Sequence, residues 1–506
     1  MSLKANLTHT PYLGYIGAGS ALVFGTLLAM YPDRAVFAES RPDLTGGREW
    51  PLVGNLPMLI QMRDKAHDVA YEAFKELGST VSFTAFMFPR QIMLSDPRCV
   101  EHVLKGNFEN YVKGPTFHAA MDDLFGHGIF NADGKEWKWQ RKTASQIFNV
   151  KNFRDLFTEI FVDEIAYMKQ NIFDVAADRQ EAIDFHSIMF KFTLDSFVRI
   201  GFGVDLECVK KPGKIPFAEA FDAAQTMTAR RMLSPFWKAE EAVAGFFGKG
   251  MKDYVKVVDK FANDVIAQRR AHPNKAEFTD LLSRFMQASD ENGVPLNDRQ
   301  LRDAILNMII AGRDTTAQAL SWSFYVLSNH PKVEAKLLEE IEQYVREDMQ
   351  ADDLYTAIKD MKYAHAFFYE VLRFYPSVPT NQKYALGDDI LPDGTHIKKG
   401  DYVAWSPYAQ GRLERVWGPD AAEFKPDRWL VDGDLKKMSQ GQWPSFHAGP
   451  RVCLGQNLAT LEALVAICLL LKRYHLSLVP GQDITYALSL TLPMKNGMKV
   501  MVERRQ

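Results

Sequence analysis

Residues 446–455, which run FHAGPRVCLG, constrain this chain more than any other part of the sequence. They place Cys453 between a glycine-containing turn and residues 458–466, an apolar segment that predicts a buried helix. A cysteine at the N-terminus of a helix meets unpaired backbone N–H groups and the positive end of the helix dipole. Because both favour the thiolate over the thiol, the pattern predicts that Cys453 is a metal ligand.

A single thiolate suits haem iron, since it binds from one side and pushes electron density that favours cleavage of an O–O bond. Zinc would need more ligands, but His447 is too close in sequence and Cys468 lies inside the predicted helix. The remaining interpretation is a small buried cysteine that only packs. Gly449 permits a tight turn, Gly455 leaves room for a flat macrocycle, and Arg451 is within reach of a haem propionate.

The pattern F-x-x-G-x-R-x-C-x-G, with Phe446 first and Gly455 last, resembles the haem-binding loop of the cytochrome P450 family. The resemblance covers roughly residues 48–503 and implies a mainly α fold with a small β region. It also implies haem b held by Cys453, Arg451, Phe446 and Gly455, and insertion of one oxygen atom from O2 into a substrate bond. Electrons would come from NADPH through a flavin reductase that docks on a basic face near the haem loop.

The composition is compatible with one large enzyme domain. The chain has 506 residues, is 47% hydrophobic and carries a net charge of −3, and it contains no linker-like or repeated segment in its body. The near-neutral charge argues against nucleic-acid binding. Its four cysteines lack paired spacing, which indicates a reducing compartment.

The N-terminal segment predicts a membrane anchor. Residues 5–32 contain no Asp, Glu, Lys or Arg, and residues 11–31 are mostly apolar, which is just long enough to cross a bilayer. The alternative is a cleaved signal peptide, but its apolar core usually has only ~7–15 residues. Since Lys4 precedes the segment and Arg34, Arg41 and Arg48 follow it, the body should face the cytosol at the endoplasmic reticulum. We expect an anchor over 1–33, a hinge over 34–55 and a catalytic domain over 56–506.

Three further basic or aromatic residues are candidates for haem contact. Trp137 and Arg141 are four positions apart on a predicted helix, so they share one face and can present an indole N–H and a guanidinium to one anion. This spacing also occurs on ordinary helix surfaces, but here it resembles the family's propionate-binding helix. Lys383 matches a position where the family often has an arginine, although lysine lacks the bidentate fork.

A long helix is predicted from Asn297 to about Asn329, with Asp314 and Thr315 in its middle. Glycine and adjacent threonines are poor helix formers, which predicts a loosened, water-lined turn. An acid beside a hydroxyl can relay protons to bound oxygen. In isolation the segment would fit a kinked core helix with a back-bonded threonine, but its position resembles the family's acid–alcohol pair.

Glu370 and Arg373 lie one helical turn apart, and Arg428 follows further along the chain. As an exposed pair they would contribute only ~0.2–0.5 kcal/mol. The family resemblance instead implies a buried structural triad that supports the cysteine loop.

Other segments are predicted with less detail. Residues 81–84 and 91–94 favour strands, as do residues around 391–394 and 488–492, while 108–130 is expected to be a loop over the haem. Residues 217–247 contain many large apolar side chains that suit either a core or a lid at the membrane surface. Arg230 and Arg231 in this segment are either solvated charges or contacts for an acidic substrate.

The substrate class rests on resemblance alone. Residues 128–134, 140–145, 406–412 and 417–420 look like the branch that hydroxylates long-chain fatty acids or alkanes at the terminal carbon. Ala311 stands where some animal members have a glutamate that tethers haem, so haem should be non-covalent. One alternative is hydroxylation of another lipophile, namely a sterol, terpenoid or xenobiotic. Two others are an isomerase or dehydratase of the same fold and a haem-based sensor or carrier. Neither of these two would need the proton relay.

Overall fold

The structure is a computed structural model that describes residues 11–148, 152–273, 278–290, 292–346 and 349–505. Within these ranges the fold is mainly helical with a small sheet region, as the sequence predicts. The helices of the first half are α1 (Pro11–Met30), α2 (Leu56–Gln61), α3 (Ala66–Leu77), α4 (Pro97–Glu101), α5 (Pro115–Phe125), α6 (Gly134–Ser145), α7 (Thr158–Met168), α8 (Asp174–Arg179), α9 (Phe185–Phe202), α10 (Pro216–Arg231) and α11 (Trp237–Phe247). Those of the second half are α12 (Met251–Ala271), α13 (Leu281–Gln287), α14 (Asp298–Ile309), α15 (Thr315–Asn329), α16 (Pro331–Tyr344), α17 (Ala351–Asp360), α18 (Lys362–Phe374), α19 (Pro407–Gln410), α20 (Glu414–Trp417) and α21 (Gln456–Arg473).

The strands form small sheets at the edge of the helical body. They are β1 (Thr80–Ala85), β2 (Phe88–Leu94), β3 (Tyr111–Val112), β4 (Ile183–Asp184), β5 (Asn381–Ala385), β6 (Asp389–Ile390), β7 (His396–Ile397), β8 (Tyr402–Trp405), β9 (Leu430–Val431), β10 (Asp434–Leu435), β11 (Tyr474–Leu478) and β12 (Lys499–Arg504). The largest sheet has the order β1-β2-β8-β5-β3, in which only β2 and β8 pair in parallel. The predicted strands at 81–84 and 91–94 are confirmed as β1 and β2.

The long helix predicted after Asn297 is confirmed, and it is interrupted in the middle. The Asn297 side chain accepts from the N–H of Gln300, whose own side chain bonds the N–H of Asn297, which forms a capping box. The helix then runs as α14, a π-helical turn over Ile310–Asp314, and α15. Since α15 packs against α9, α18 and α21, this interrupted helix crosses the centre of the main core.

Two segments differ from the predictions. The expected loop over 108–130 contains α5, which begins at Pro115 and buries Phe117, Met121 and Phe125 on one face. Residues 488–492 are a bent loop rather than a strand, because Leu492 N–H donates to Gln318 Oε1 at 2.7 Å instead of to a neighbouring strand. Alternating apolar residues predict strands only where a partner strand is available, and here the partner is α15.

The segment that follows α1 is bound to the first sheet. Ala35 pairs with Leu52 as an isolated bridge, and the Ala35 N–H donates to Thr84 Oγ1 at 3.0 Å. Gly54 has a φ of +60°, and a Cβ there would lie 2.4 Å from the carbonyl oxygen of Thr84. This close backbone approach fixes the entry of the chain into the helical body.

The apolar segment predicted to anchor the chain is helical as α1 over its described residues. Among the described residues, however, no helix combines the length and the apolar character that crossing a bilayer would demand.

Candidate active site

The cysteine loop is closed by its own backbone. The Cys453 N–H donates to the carbonyl oxygen of Phe446 at 2.9 Å, and α21 begins three residues after the cysteine. Gly449 has a φ of +60°, and a Cβ there would lie 2.3 Å from the carbonyl oxygen of Leu104, so the turn requires glycine. A Cβ on Gly455 would meet only Cys453 Sγ, at 3.9 Å, so the space beside the sulfur is open.

Cys453 lines an internal cavity of about 610 Å³. The side chain is accessible, in contrast to the buried Cys99, Cys208 and Cys468. Burial raises the pKa of the Cys453 thiol, whereas the N–H of Gly455 and the charge of Arg141 lower it. A metal bond at the sulfur would hold the thiolate outright.

Arg451, Trp137 and Arg141 gather beside the sulfur on the cavity wall. The Arg451 guanidinium lies 4.4 Å from the Trp137 ring centroid and donates to Asp133 Oδ1 at 2.7 Å. The Arg141 guanidinium lies 5.8 Å from the same ring and donates to the carbonyl oxygen of Val452 at 2.7 Å. The structure therefore brings these three predicted residues together.

Two lysines add to this positive charge. Lys383 is buried behind the wall, and its Nζ has no hydrogen-bond partner among the described residues. Sequence reasoning missed Lys113, which precedes Gly114 at the start of α5, lines the cavity itself and belongs to no motif. Burial and the charge of Arg451 lower the pKa of Lys113 to about 7, and burial also lowers the pKa of Lys383.

This charge pattern fits haem. Lys113, Lys383 and Arg451 share one nearby carboxylate, that of Asp133, and Arg451 Nε has no partner among the described residues. Burying this much positive charge beside one carboxylate is costly, and two propionates would neutralise it. No group of three His, Cys, Asp or Glu side chains suited to a metal occurs in the described ranges. One accessible thiol beside a cluster of cations fits a haem held by a single thiolate.

The π-helical turn forms another part of the wall, where Ala311, Gly312 and Thr315 line the cavity. The Thr315 hydroxyl donates back to the carbonyl oxygen of Ala311 at 2.7 Å. A Cβ on Gly312 would lie 1.8 Å from the ring of Phe197, so α9 packs directly against this turn.

Asp314 does not bond Thr315. Its side chain is 2% exposed, and its two oxygens accept from Gln225 at 2.6 Å and Arg313 at 2.9 Å. Burial raises the pKa of Asp314 to about 6, against the opposing charge of Arg313. The predicted acid and alcohol are thus adjacent in the chain but separately engaged.

Glu462 is a carboxyl at the cavity wall that sequence reasoning missed. It lies on α21, two and a half turns after Cys453, where an apolar sequence gives no hint of function. Burial raises the pKa of Glu462 well above its ordinary value, and its Oε1 has no partner among the described residues.

The predicted triad is assembled and buried. Arg373 donates two hydrogen bonds of 2.8 Å to Glu370, and both side chains are fully buried. Arg428 Nε lies 3.4 Å from Glu370 Oε1, although its shorter contact is to Asp420 at 2.7 Å. Removing one member of such a pair typically costs ~3–5 kcal/mol.

Aromatic rings connect the triad to the cysteine loop. The Trp429 indole N–H donates to Glu370 Oε2 at 2.9 Å, and its ring centroid lies 4.8 Å from that of Trp443. The Trp443 ring in turn lies 5.6 Å from Phe446, edge to face. Phe446 therefore contacts both the cavity and the support of the triad.

The rest of the wall is largely apolar and includes residues of α2, α3 and the end of α10. Arg63 lies here, on the exposed turn before α3, and it has no ion pair within the described residues. Arg231 is not available to a substrate, because it is 2% exposed and its guanidinium contacts Asp123 at 2.7 Å and Glu241 at 2.6 Å.

Comparisons with known proteins agree with this geometry. The family model for cytochrome P450 matches residues 44–499. The chain is 35% identical to cytochrome P450 704B1 of Arabidopsis thaliana, over 91% of this chain and 95% of that protein. It is 37% identical to cytochrome P450 monooxygenase cyp1 of Mycosarcoma maydis, over 100% of this chain and 82% of that protein, and 36% identical to cytochrome P450 86B1 of Arabidopsis thaliana, over 95% and 89%. The accessible cysteine, the basic side chains beside it and the match to the family model all agree. The chain therefore belongs to the cytochrome P450 family.

Proposed function

We propose that this protein is a haem-thiolate monooxygenase that hydroxylates the terminal carbon of long-chain fatty acids or alkanes. Membership of the family implies a haem-iron cofactor and an oxidoreductase activity. Cys453 would ligate the iron, and Arg141, Arg451 and Lys383 would neutralise the propionates. Trp137 would donate its indole N–H to a propionate, and Phe446 and Gly455 would lie beside the macrocycle. When bound, haem supplies the iron that binds and activates O2.

The substrate proposal rests on where the charged side chains lie on the cavity wall. The acidic and basic side chains of its wall, histidines aside, are the cations around Cys453, Glu462, and Arg63 at the exposed turn before α3, and the other lining residues are apolar or uncharged polar groups. A fatty acid whose carboxylate meets Arg63 would extend its chain along the apolar wall. Since the chain then approaches the Cys453 side end-on, its far terminus would be the carbon nearest the cofactor.

The chain's own residues have distinct roles in this proposal. Thr315 donates or accepts a hydrogen bond at the oxygen-binding side of the cavity, and Asp314 supplies the proton that must reach it. The apolar wall excludes water from the substrate chain. We assign Glu370, Arg373 and Arg428 a structural role, because they connect to the cysteine loop through the rings of Trp429 and Trp443.

We further propose that the protein works at the endoplasmic reticulum membrane, with its electrons supplied by an NADPH-dependent flavin reductase. The proposed anchor (1–33) and hinge (34–55) precede the catalytic domain (56–506). Large apolar side chains on separate segments support membrane contact, since Phe37, Trp50, Met87 and Phe246 are 85%, 65%, 67% and 84% exposed.

Purified holoenzyme with reductase and NADPH tests this proposal. We expect a red-shifted Soret band of the ferrous carbonyl complex that is lost in Cys453→Ser, and oxygen consumption with terminal-hydroxy product from a long-chain fatty acid. Turnover of a sterol or terpenoid, without turnover of any long-chain fatty acid or alkane, would reject this substrate class. Absence of the red-shifted band from intact wild-type protein would reject the thiolate ligand itself.

A further inference from the structure

Asp314 is held by a neighbouring helix rather than by the cavity. The amide of Gln225, on α10, donates to Asp314 Oδ2 at 2.6 Å, while Arg313 Nη1 donates to Oδ1 at 2.9 Å. Both carboxylate oxygens are therefore engaged on the side of α10. These two bonds therefore set the position of the carboxyl relative to Thr315.

Arg313 extends the same connection to α10. Its guanidinium donates to Asp222 Oδ1 at 2.5 Å and to Oδ2 at 3.2 Å, so one cation bridges two carboxylates. The Arg313 side chain is 3% exposed and lies 4.6 Å from the ring centroid of Phe190, whereas Asp222 is 51% exposed. The hydroxyl of Thr193 donates to the Arg313 carbonyl oxygen at 2.9 Å. The π-helical turn is thus fixed to α9 through its backbone and to α10 through side chains.

The partners of Asp314 share a helical stripe with residues that line the cavity. Asp222, Gln225 and Ala229 follow one another at intervals of three and four positions, so they lie on one face of α10. Ala229 lines the cavity, as do Met232 and Leu233 directly after the helix. A substrate that packs against these three residues therefore packs against the helix that holds the acid.

The chemistry of the two partners differs. The Arg313 guanidinium only donates hydrogen bonds, so it favours the ionised form of Asp314. The amide of Gln225 has both a donor and an acceptor, and its Oε1 has no partner among the described residues. Gln225 can consequently bond the carboxylate through its NH₂ or the protonated carboxyl through Oε1, so it can hold Asp314 in either protonation state.

We propose that Asp222 and Gln225 are positioning residues for proton delivery, through which α10 couples the filling of the cavity to the placement of the Asp314 carboxyl. Gln225 acts on Asp314 directly, and Asp222 acts through Arg313. This inference rests on the proposed monooxygenase function and on Asp314 as the proton donor.

The test is to measure coupling in Gln225→Leu and Asp222→Asn holoenzymes with reductase, NADPH and a saturating long-chain fatty acid. We expect product formed per NADPH to fall about tenfold in Gln225→Leu, with a matching rise in hydrogen peroxide, because a displacement of about 1 Å in a catalytic group can have a still larger effect. The solvent deuterium isotope effect on product formation should increase. The dissociation constant of the fatty acid, measured by the haem spin-state change, should stay within about twofold, since neither residue lines the cavity.

Two further variants separate positioning from general damage to α10. Glu219→Gln removes an exposed carboxylate of the same helix that pairs with Lys214, and it should leave coupling unchanged. Asp222→Glu retains a carboxylate for Arg313 and should restore coupling relative to Asp222→Asn. Unchanged coupling and isotope effect in both Gln225→Leu and Asp222→Asn would overturn the inference, whereas absence of product from the wild type would instead reject the proposed function.

Discussion

Arg141 donates a hydrogen bond of 2.7 Å to the carbonyl oxygen of Val452, the residue directly before Cys453. The same guanidinium lines the cavity, and its charge partly offsets the burial that raises the pKa of the Cys453 thiol. One side chain therefore fixes the backbone of the ligand loop, stabilises the thiolate and presents positive charge to the space beside it.

Replacement of Arg141 by glutamine should weaken haem binding about tenfold, because the variant loses the charge for a propionate and the thiolate. The measurement is the rate of haem transfer to an excess of a haem-scavenging protein. Lys142→Gln, an exposed charge on the same helix, is the control and should match the wild type. Equal haem loss from Arg141→Gln and Lys142→Gln would contradict this role.

Arg63→Ala should weaken binding of a fatty acid but not of the corresponding alcohol or alkane. An exposed ion pair contributes ~0.2–1 kcal/mol, so the expected increase in dissociation constant is about 1.4- to fivefold. Spin-state titration with each ligand measures it. Arg230→Ala provides a matched control, since Arg230 is exposed on α10 and does not line the cavity. A loss of affinity that is equal for acid and alcohol would argue against contact with a carboxylate.

Thr315→Ala should preserve substrate binding and divert oxygen to hydrogen peroxide, because the hydroxyl at the cavity wall is lost. A decrease in coupled product of about 10²-fold or less is expected, which is the lower range for removal of one proton-transfer group. Peroxide and product are measured per NADPH consumed. Ser323→Ala removes a hydroxyl that bonds Ala319 in the same back-bonded manner away from the cavity, and should remain coupled. Coupled turnover of Thr315→Ala at the wild-type level would remove Thr315 from the relay.

Glu462→Gln should make the holoenzyme relatively more stable as the pH rises. Burial raises the folded pKa of Glu462 above its ordinary value of 4.5. Below about pH 4.5 the carboxyl is protonated in both the folded and the unfolded chain. Above that pH the carboxyl ionises first in the unfolded chain. The stability of the wild type therefore falls as the pH rises, until the raised pKa of the folded state is reached. Glutamine does not titrate. Thermal midpoints of both proteins from about pH 5 to about pH 8 measure this, and parallel curves would show that Glu462 is ionised when folded.

Short, fixed spacings made much of this site predictable. The cysteine loop, the four-residue interval of Trp137 and Arg141 and the weak helix formers around Thr315 each specify local geometry, which sequence alone carries. Lys113 and Glu462 were missed because each reaches the cavity through tertiary packing, one before α5 and the other on an apolar helix. The loop over 488–492 was assigned wrongly for the same reason, since its hydrogen-bond partner Gln318 lies 174 residues away from Leu492.

For the predicted membrane anchor, the sequence pattern and the described helices differ. Freedom from charge over residues 5–32 is visible in the sequence, whereas the described helices include none suited to cross a bilayer. The proposed relay also depends on more than its motif, because Asp314 and Thr315 are neighbours in the chain but have different hydrogen-bond partners.

The π-helical turn over Ile310–Asp314 acts as a change of register within one continuous helix. One inserted residue rotates everything downstream by about 100°. Upstream of the turn, the Phe130 N–H donates to Asn307 Oδ1 at 3.0 Å. Downstream, Gln318 Nε2 donates to Thr491 Oγ1 at 2.7 Å. Both hydrogen bonds depend on the rotation between α14 and α15. If one residue were deleted within the turn, the side chains of α15 would point toward different neighbours. This single extra residue therefore sets the angle between the residues that pack on α14 and those that pack on α15.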